Sequence, residues 1–459
     1  MAISSLLNIA GDAITVNRIA IDITGANIAN VNTPGYTRQR VDFNAISNVD
    51  VASGRTDFGV RVDSIERLYN SYLETQLVDQ AQKTGFDEAR QQMMSRVEGV
   101  FNESGSSGLS DSLNQFWNSW EALSSNPTSQ AARYSVVSTA SNLASLFREN
   151  SNVLSGVQQD IEDSMGVAVQ DINAAAGAIA RLNEQILATG SQDGSANNLL
   201  DKRMELLKGL ATNINISYYE SSDGTVNVFL ANGKLLVGGS DADQLSVTNG
   251  NVTFKSAPLQ VLNNVITGGK LGAMIEMDGT TVAGYSQSLD QLANGIVAAV
   301  NTQHQAGWDA GGSHLGDAAF VPDFFAALPG AKNMRVSAAI AADPQKVAAS
   351  DNAGNNGANA TLIGALKDNL TMDGGVSTFT DFYAALVGKV GSDVQAIDSS
   401  VERNTAVTNQ LSAQRDGTSG VSMDEEIINL MKYQFGYNAA GKLAKAASDM
   451  LDVLMSLGK

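Results

Sequence analysis

The N-terminal segment carries an apolar stripe that a single helix cannot bury by itself. Apolar residues recur there at every seventh position, which is the spacing of a coiled-coil helix: Leu7, Ile14, Ile21 and Ile28. The C-terminal segment carries a matching stripe with alternating three- and four-residue spacing: Leu430, Tyr433, Tyr437, Ala440, Ala444, Ala447, Leu451 and Leu454. We therefore predict that the two ends of the chain pair as helices of one coiled-coil module.

Two observations favour further copies of the chain as the partner of this module. A second series of seventh positions in the N-terminal helix, shared with Ile3, Ala10 and Val31, contains Asn17 and Thr24, polar residues of the kind that set register at some cost in stability. The C-terminal stripe is rich in alanine, so two narrow helices would bury too little surface to be stable alone. The alternative is an internal two-helix core. The residues predicted for an assembly core are Leu7, Ile14, Ile21, Ile28, Leu430, Tyr437, Leu451 and Leu454.

Two further stretches are too long for the helices of an ordinary globular domain. Apolar residues follow three- and four-residue spacing from Val136 to Ile186, with one stutter between Ile161 and Met165. At ~1.5 Å per residue this helix would be on the order of 80 Å long. A second stripe runs from Tyr383 to Leu411. These stripes predict an elongated helical rod domain.

The stretch 214–262 changes to the period-two alternation of β-strands. It is punctuated by the hairpin-turn pairs Asp223-Gly224, Asn232-Gly233 and Asn249-Gly250. A weaker alternation over 36–62 predicts short extended segments. We therefore expect a small antiparallel β domain inserted into a mainly α-helical chain.

These patterns predict three domains. The terminal coiled-coil assembly domain comprises residues 1–35 and 422–459. The helical rod domain comprises residues 36–212 and 271–421, and the inserted β domain residues 213–270. A break at Gly417-Thr-Ser-Gly420 precedes the last helix, and Ser422-Met-Asp-Glu425 has the spacing of a capping box.

Trp117 and Trp120 lie on a predicted short helix over 109–123. They could form an interface with another molecule. Burial between packed helices is the more common environment of such aromatic residues on a helix. We therefore expect both indoles in a helix-to-helix core.

Composition excludes several classes of chemistry. The chain has 48 acidic against 29 basic residues, a formal charge of -19, which makes nucleic acid and anionic membranes poor partners. It has no cysteine, which excludes thiolate chemistry and disulfides. The single ligand-like cluster is His304, Asp309, His314 and Asp317, and it lacks the helical spacing of a zinc hydrolase motif. We predict no catalytic residues, no metal and no cofactor.

The N-terminus does not have the pattern of a secretory signal. No basic residue precedes Arg18, and Asp12 interrupts an amphipathic rather than a continuously apolar pattern. No run in the chain approaches the ~18 apolar residues of a membrane span. We therefore expect a protein that carries no cleaved signal peptide and does not enter a membrane.

The segment Asn27-Ile-Ala-Asn-Val-Asn-Thr-Pro-Gly-Tyr36 resembles the N-terminal signature of bacterial flagellar rod, hook and hook-associated proteins. The motif residues are Asn27, Asn30, Pro34, Gly35 and Tyr36. Thr37-Arg-Gln39 and Gly420-Val-Ser-Met-Asp-Glu-Glu426 are similar to the branch of this family that joins hook to filament. So are several segments between positions 198 and 309, and the resemblance spans nearly the whole chain. Typical relatives are longer and carry an additional outer domain.

The resemblance implies a terminal coiled-coil domain that faces the flagellar axis, a helical rod domain and an outer β domain. It implies no enzymatic activity and an extracellular location at the hook–filament junction, reached by type III export. The implied partners are the flagellar hook protein, a second hook–filament junction protein and an export chaperone at the C-terminal helix. Asn27, Asn30, Pro34 and Gly35 would shape the exit of the chain from the terminal helix.

We therefore predict a structural subunit that assembles when neighbouring copies order and bury its terminal helices. One alternative is a hook or filament subunit. The alternative from another class is a secreted metal-dependent hydrolase that uses His304 and His314.

Overall fold

The computed structural model of the protein describes residues 2–50, 55–102, 108–189, 194, 196–314 and 322–457. Long helices dominate these residues. In chain order the helices are α1 (Ala2–Ala29), α2 (Ser71–Phe101), α3 (Leu109–Ser125), α4 (Gln130–Thr189), α5 (Asn197–Asn213), α6 (Gly269–Glu276), α7 (Ala283–Gln305), α8 (Ala338–Ala342), α9 (Ala358–Gly364), α10 (Phe379–Ser419) and α11 (Met423–Leu457). A π-helical turn at Met277–Val282 separates α6 from α7.

The strands form antiparallel sheets. Their bounds are β1 (Gln39–Asp50), β2 (Arg55–Arg67), β3 (Ile216–Glu220), β4 (Val226–Leu230), β5 (Leu235–Gly238), β6 (Asp241–Ala242), β7 (Leu245–Thr248), β8 (Asn251–Phe254) and β9 (Ala257–Val261). Strands β1 and β2 pair with each other, β3 to β6 form one sheet in sequence order, and β7 to β9 form another. The ribbon of β1 and β2 is much longer than the short extended segments predicted for 36–62.

The predicted hairpin turns are confirmed in the inserted β region. Gly224 and Gly233 have φ of 83° and 76°, in the left-handed region that glycine adopts without a steric penalty. Asn249 and Gly250 both have positive φ, at 49° and 71°, as a type I′ turn requires. The turn residues therefore determine where the strands of the inserted β region end.

The described chain divides into two compact units. The first comprises Met1–Phe86, Ala168–Leu271 and Arg403–Lys459, and the second comprises Asp87–Val167 and Gly272–Glu402. Helices α2, α4 and α10 contribute residues to both units. The division into three domains predicted from sequence stays a prediction.

Helix α4 is continuous over 60 residues, about 90 Å at 1.5 Å per residue. Most of its predicted stripe is buried: Val136, Ala140, Leu143, Phe147, Leu154, Val157, Ile161, Met165, Ala168, Ile172, Ile179 and Ile186. The stripe positions Asn150, Ala175 and Leu182 are half-buried. The sequence prediction of one very long helix is confirmed. Helix α10, which carries the second predicted stripe, is continuous over 41 residues.

The boundary between α10 and α11 differs from the prediction. Helix α10 continues through Gly417 to Ser419, so the break is confined to three residues before Met423. Gly420 follows the last residue of the helix, and only glycine fits there, because a Cβ would lie 2.3 Å from the Asp416 carbonyl oxygen. The Glu425 carboxylate accepts a hydrogen bond from Arg38 instead of closing a capping box. A single glycine inside a helix costs only about 1 kcal/mol, so Gly417 did not interrupt it.

An aromatic cluster forms the centre of the second unit. It consists of Phe116, Trp117, Trp120, Phe324, Phe325 and Phe379, all at most 1% exposed. The rings of Trp120 and Phe324 lie 5.2 Å apart, and Trp117 stacks on Phe379 at 5.9 Å. Both indoles are therefore core residues, as predicted.

The predicted class, mainly helical with an antiparallel β insert, is confirmed. None of the helices in the described ranges is both long enough and apolar enough to cross a membrane.

Candidate assembly site at the paired termini

Helices α1 and α11 pack against each other in opposite directions. Asn27 near the end of α1 donates to Glu426 near the start of α11. Near the middle of α1, Asn17 faces Gly436, where an added Cβ would lie 2.5 Å from the Asn17 side-chain oxygen. The predicted pairing of the two termini is confirmed.

Small side chains form the seam between the two helices. The buried positions of the pair between its ends are Ala10, Val16, Ala20, Thr24, Ala440 and Ala447. Thr24 donates its hydroxyl hydrogen to the Ala20 carbonyl within its own helix, so its burial leaves no donor unsatisfied. Because the seam is narrow, the two helices bury few large apolar groups against each other.

The predicted assembly residues are not among these buried positions. Five of them are half-buried: Leu7, Ile14, Ile21, Ile28 and Leu430. Tyr437, Leu451 and Leu454 are exposed, Leu454 by 54%. None of the eight predicted residues is therefore fully buried within one copy. Their role in assembly stays a prediction.

Helix α11 exposes a large apolar surface. Its exposed large apolar residues, which we call the α11 apolar surface, are Met423, Ile427, Ile428, Met431, Phe435, Tyr437, Leu443, Met450, Leu451, Val453, Leu454 and Met455. Phe435 is 73% exposed and Met455 71%. An open recess of about 420 Å³ between Ile3 and the last turns of α11 continues this surface. Large apolar side chains exposed together along one helix mark interaction surfaces.

Asn27 of the sequence motif fixes the end of α1 to the start of β1. Its side-chain amide donates to the Gln39 carbonyl at 2.8 Å, and its side-chain oxygen accepts from the Gln39 amide at 3.0 Å. The same oxygen accepts from the Tyr36 hydroxyl at 2.9 Å. Asn27 is 1% exposed, so these bonds satisfy a buried amide that would otherwise be costly.

Arg38 and Glu426 form the ionic centre of this junction. The Arg38 guanidinium contacts Glu425 and Glu426, each at 2.6 Å. Glu426 is 2% exposed and also accepts from Asn27 at 3.1 Å. Burial alone would lower the pKa of Arg38, but hydrogen bonding and charge from the two glutamates raise it above its usual value. A buried carboxylate with these partners is stable only while they remain in place.

The loop after α1 is held by residues distant in sequence. The Thr37 amide donates to Asp201 at 3.0 Å, and Asp201 also accepts from Arg67 at 2.8 Å. Burial, assisted by the negative charges of Asp201 and Glu426, raises the pKa of Tyr36 to about 12, so its hydroxyl remains a donor. The loop is therefore fixed through its backbone as well as its side chains.

Gly35 makes the turn that the motif requires. It has φ of 78°, and its carbonyl accepts from Arg415 of α10 at 3.0 Å. Arg415 is itself held by the buried carboxylate of Glu74, which also pairs with Lys208. Asn30 bonds only to residues near it in sequence, and Pro34 is exposed. Within the motif, Asn27, Gly35 and Tyr36 thus carry the long-range contacts.

Sequence reasoning missed most of the ionic residues of this junction. Glu425 and Glu426 are suited to the positive end of the α11 dipole, which hid their pairing with Arg38. A signal was present, because Arg38 lies within the Thr37-Arg-Gln39 segment of the family resemblance. Nothing in local spacing indicates Asp201 or Arg415, which reach the loop only through the tertiary fold.

The histidine cluster does not form a ligand set among the described residues. His304 is buried, and its Nε2 accepts from the Ala348 amide at 2.9 Å. Burial lowers the pKa of His304 to about 3, although the nearby Pro322 carbonyl opposes the shift. His314 packs on the Trp308 ring at 5.0 Å, and Asp317 lies outside the described residues. No three potential metal-ligating side chains meet in the described ranges.

Three family models match the chain. The model described as the flagellar hook-associated protein FlgK helical domain matches residues 94–320. The flagellar basal body rod FlgEFG protein C-terminal model matches 406–457, and the flagella basal body rod protein model matches 7–37. The last two matches fall on the paired termini.

Relatives similar over nearly the full length carry one name. Flagellar hook-associated protein 1 of Bacillus subtilis (strain 168) is 28% identical, over 98% of this chain and 97% of the relative. The protein of the same name from Escherichia coli (strain K12) is 27% identical, over 99% of this chain and 100% of the relative. The latter alignment spans 548 positions against 459 residues here, so that relative has segments without a counterpart in this chain.

The fold is also similar to a solved structure. The flagellar hook junction protein FlgK from Burkholderia pseudomallei superposes with a TM-score of 0.66 at 16% identity. The match covers 75% of this chain and 100% of the solved one.

Proposed function

Because the chain belongs to the flagellar hook-associated protein 1 family, we propose that it is a structural subunit that joins the hook of the bacterial flagellum to the filament. The observation that carries this proposal is the α11 apolar surface, which a single copy leaves exposed. A structural subunit needs a surface of this kind, because contacts between copies must offset the entropy of ordering them. We propose no enzymatic activity.

The mechanism we propose is folding coupled to assembly. Alone, the α1–α11 pair has a seam of small residues, so it buries little apolar area. Neighbouring copies that cover Ile21, Leu451 and Leu454 would supply the missing burial, at roughly 25 cal/mol for each Å² removed from water. The terminal helices would then become fully stable only in the assembly. The junction around Asn27 and Arg38 would connect them to the rest of the subunit.

Family membership implies association with flagellar components in the flagellum. We extend this to named partners: copies of the chain, the hook protein, a second hook–filament junction protein and an export chaperone that binds α11 before export. The extended proposal includes an extracellular location reached without cleavage of a signal peptide. The exposed α11 apolar surface is the argument for chaperone binding, because a chain with such a surface uncovered would aggregate before assembly.

Charged substitutions in the apolar surface test the proposal. The double variant Ile21→Asp with Leu451→Asp should fold, because neither side chain is fully buried in one copy. Its incorporation into flagella should fall to about a tenth of wild type or less, since burying an unpaired carboxylate costs several kcal/mol. Val167→Asp is the matched control, as it places aspartate at an exposed apolar position of α4. Incorporation is measured by quantitative immunoblotting of isolated flagella from a strain that lacks the native protein.

Normal incorporation of the double variant would contradict the proposed assembly surface. Growth of the purified wild-type protein into long tubes by itself would instead favour a hook or filament subunit. Limited proteolysis of the monomer adds an independent measurement: the termini should be cleaved before the second unit, whose aromatic cluster is fully buried.

A further inference from the structure

A groove on the second unit combines an apolar floor with an acidic rim. It has a volume of about 380 Å³ and lies between α2 and α10. Met94, Val394 and Ile397 form the floor, and Met94 and Ile397 are almost fully buried. Glu88 and Glu98 supply carboxylates to the rim from α2.

Asp398 of α10 supplies the third rim carboxylate, and it accepts a hydrogen bond from Gln91 at 2.7 Å. Across the residues that the structure describes, none of the three rim carboxylates has a lysine or arginine partner. A long basic side chain would fit this groove, its aliphatic stem on the floor and its charged end at the rim.

The same unit carries a compact set of unpaired cations, which we call the basic patch: Arg148, Lys332 and Arg335. Arg148 of α4 donates to the Met334 carbonyl at 2.6 Å, which holds the segment bearing the other two against the helix. Lys332 and Arg335 are exposed. In the described part of the chain none of the three forms an ion pair with a carboxylate. Unpaired cations are notable in a chain with a formal charge of -19.

Contacts with α4 give the relative positions of the groove and the basic patch. The patch is attached at Arg148, whereas α2 contacts α4 at the ion pair of Arg96 with Asp160, level with the groove. Positions 148 and 160 are about 18 Å apart along a helix and about 120° apart around it. The patch and the groove are therefore attached to α4 at different heights and on different sides of the helix. Two unlike surfaces on different faces are the requirement for a head-to-tail contact between copies.

We propose that the basic patch of one copy binds in the acidic α2–α10 groove of the next copy. This inference rests on the proposed function, and it adds a second contact between subunits, independent of the terminal helices. Since the two surfaces differ in height by about 18 Å along α4, each copy would be displaced along that helix relative to its neighbour. The contact would generate a staggered, helical arrangement and not a flat ring.

Site-specific cross-linking tests the contact directly, because the chain has no cysteine of its own. Flagella are isolated from cells that express the full-length double variant Glu98→Cys with Arg335→Cys, then treated with a short bis-maleimide. A head-to-tail contact yields a ladder of dimers, trimers and larger species. A mixture of the two single variants yields dimers only. The pair Asn118→Cys with Arg335→Cys is the matched control, since Asn118 is exposed in the same unit, and it should stay monomeric.

Charge reversal provides a second measurement. Glu88→Lys with Glu98→Lys, and separately Lys332→Glu with Arg335→Glu, should each lower incorporation into flagella by about tenfold through like-charge repulsion. The variant carrying all four changes should recover to within about twofold of wild type, because complementarity is restored.

Three results would overturn the contact: no ladder from flagella that contain the double-cysteine variant, a product that stops at dimers, or no recovery in the fourfold variant. Absence of the wild-type chain from isolated flagella would overturn the proposed function itself.

Discussion

The aromatic cluster of the second unit and the pair of terminal helices bury their apolar side chains to opposite extents. Phe116, Trp120 and Phe324 are fully buried within one chain. In the terminal pair, Phe435 is 73% exposed and the seam consists of small residues. Each buried aromatic removes ~150–250 Å² from water, whereas an alanine seam removes far less. The second unit thus has a complete core, and the termini have a core that requires further molecules.

Helices α4 and α11 show the same contrast, although their apolar residues have similar spacing in sequence. Both have three- and four-residue spacing, yet Leu143, Ile172 and Ile179 of α4 are fully buried while Leu451 and Leu454 of α11 are exposed. A hydrophobic period identifies a face that needs a partner. It does not identify whether the partner lies in the same chain.

Among single substitutions, the largest loss of folding stability is expected in the aromatic cluster. Trp120→Ala should lower the free energy of unfolding of the second unit by about 3–5 kcal/mol, since it leaves a cavity among packed rings. Urea denaturation followed by circular dichroism measures the change. Tyr134→Ala, at a 53% exposed position of α4, serves as the control and should cost less than about 1 kcal/mol. Equal effects of the two changes would show that Trp120 is not packed in a complete core.

The second-largest effect on stability is expected at the junction around Arg38 and Glu426. Arg38→Met keeps the aliphatic stem but leaves the buried carboxylate of Glu426 without its cation, at a cost of about 3 kcal/mol. Hydrogen exchange measured by mass spectrometry should become faster in α1 and β1, while the aromatic cluster keeps its protection. Arg40→Met is the control, because its contact with Glu66 is exposed on both sides. Unchanged exchange in α1 would show that the termini do not depend on this ion pair.

The pH dependence of the free energy of unfolding tests whether His304 is shielded from water in the folded second unit. The folded-state pKa of His304, about 3, lies below the unfolded value of 6.5, so the unfolded chain binds more protons between these values. The stability contributed by neutral His304 is fully present above pH 6.5 and is lost as the pH falls towards 3. Between pH 7 and pH 5 the loss should be about 2 kcal/mol.

His304→Gln supplies the comparison for this measurement. Its side-chain oxygen can still accept from the Ala348 amide, but it does not titrate. Urea unfolding at both pH values should give a shallower decline for the variant. Parallel declines in the two proteins would mean that water reaches His304 in the folded state.

The smallest effect should come from the terminal surface in the isolated chain. Leu451→Ala should change the free energy of unfolding by less than about 1 kcal/mol, because Leu451 is already 39% exposed. Leu143→Ala, at a fully buried position of α4, should cost about 2–5 kcal/mol in the same assay. Similar costs for the two leucines would mean that α11 is buried in the monomer.

Helices and turns that depend on residues near each other in the chain could be predicted from the sequence. The period of α4 predicted one long helix, and Asn249-Gly250 predicted a hairpin, because both depend on neighbours in sequence. Gly417 was a misleading signal, since a single glycine does not outweigh the hydrogen bonds of a continuing helix. Within the candidate site, the pairing of the termini was predicted, and so was an alanine-rich C-terminal stripe, of which Ala440 and Ala447 are buried. The close approach of Asn17 to Gly436 was not predicted, because it depends on how the two helices meet in the tertiary fold.

The sequence by itself determined the helical class, the β insert, the family and the presence of two terminal stripes that need partners. Periodicity and turn residues carry that information, because each acts over a few positions along the chain. Only the tertiary structure decided that Asn27, Arg38 and Glu426 meet at one junction, that Asp201 and Arg415 hold the adjoining loop, and that α11 remains exposed. These contacts join residues far apart in sequence, and no local spacing encodes which distant side chains a fold brings together.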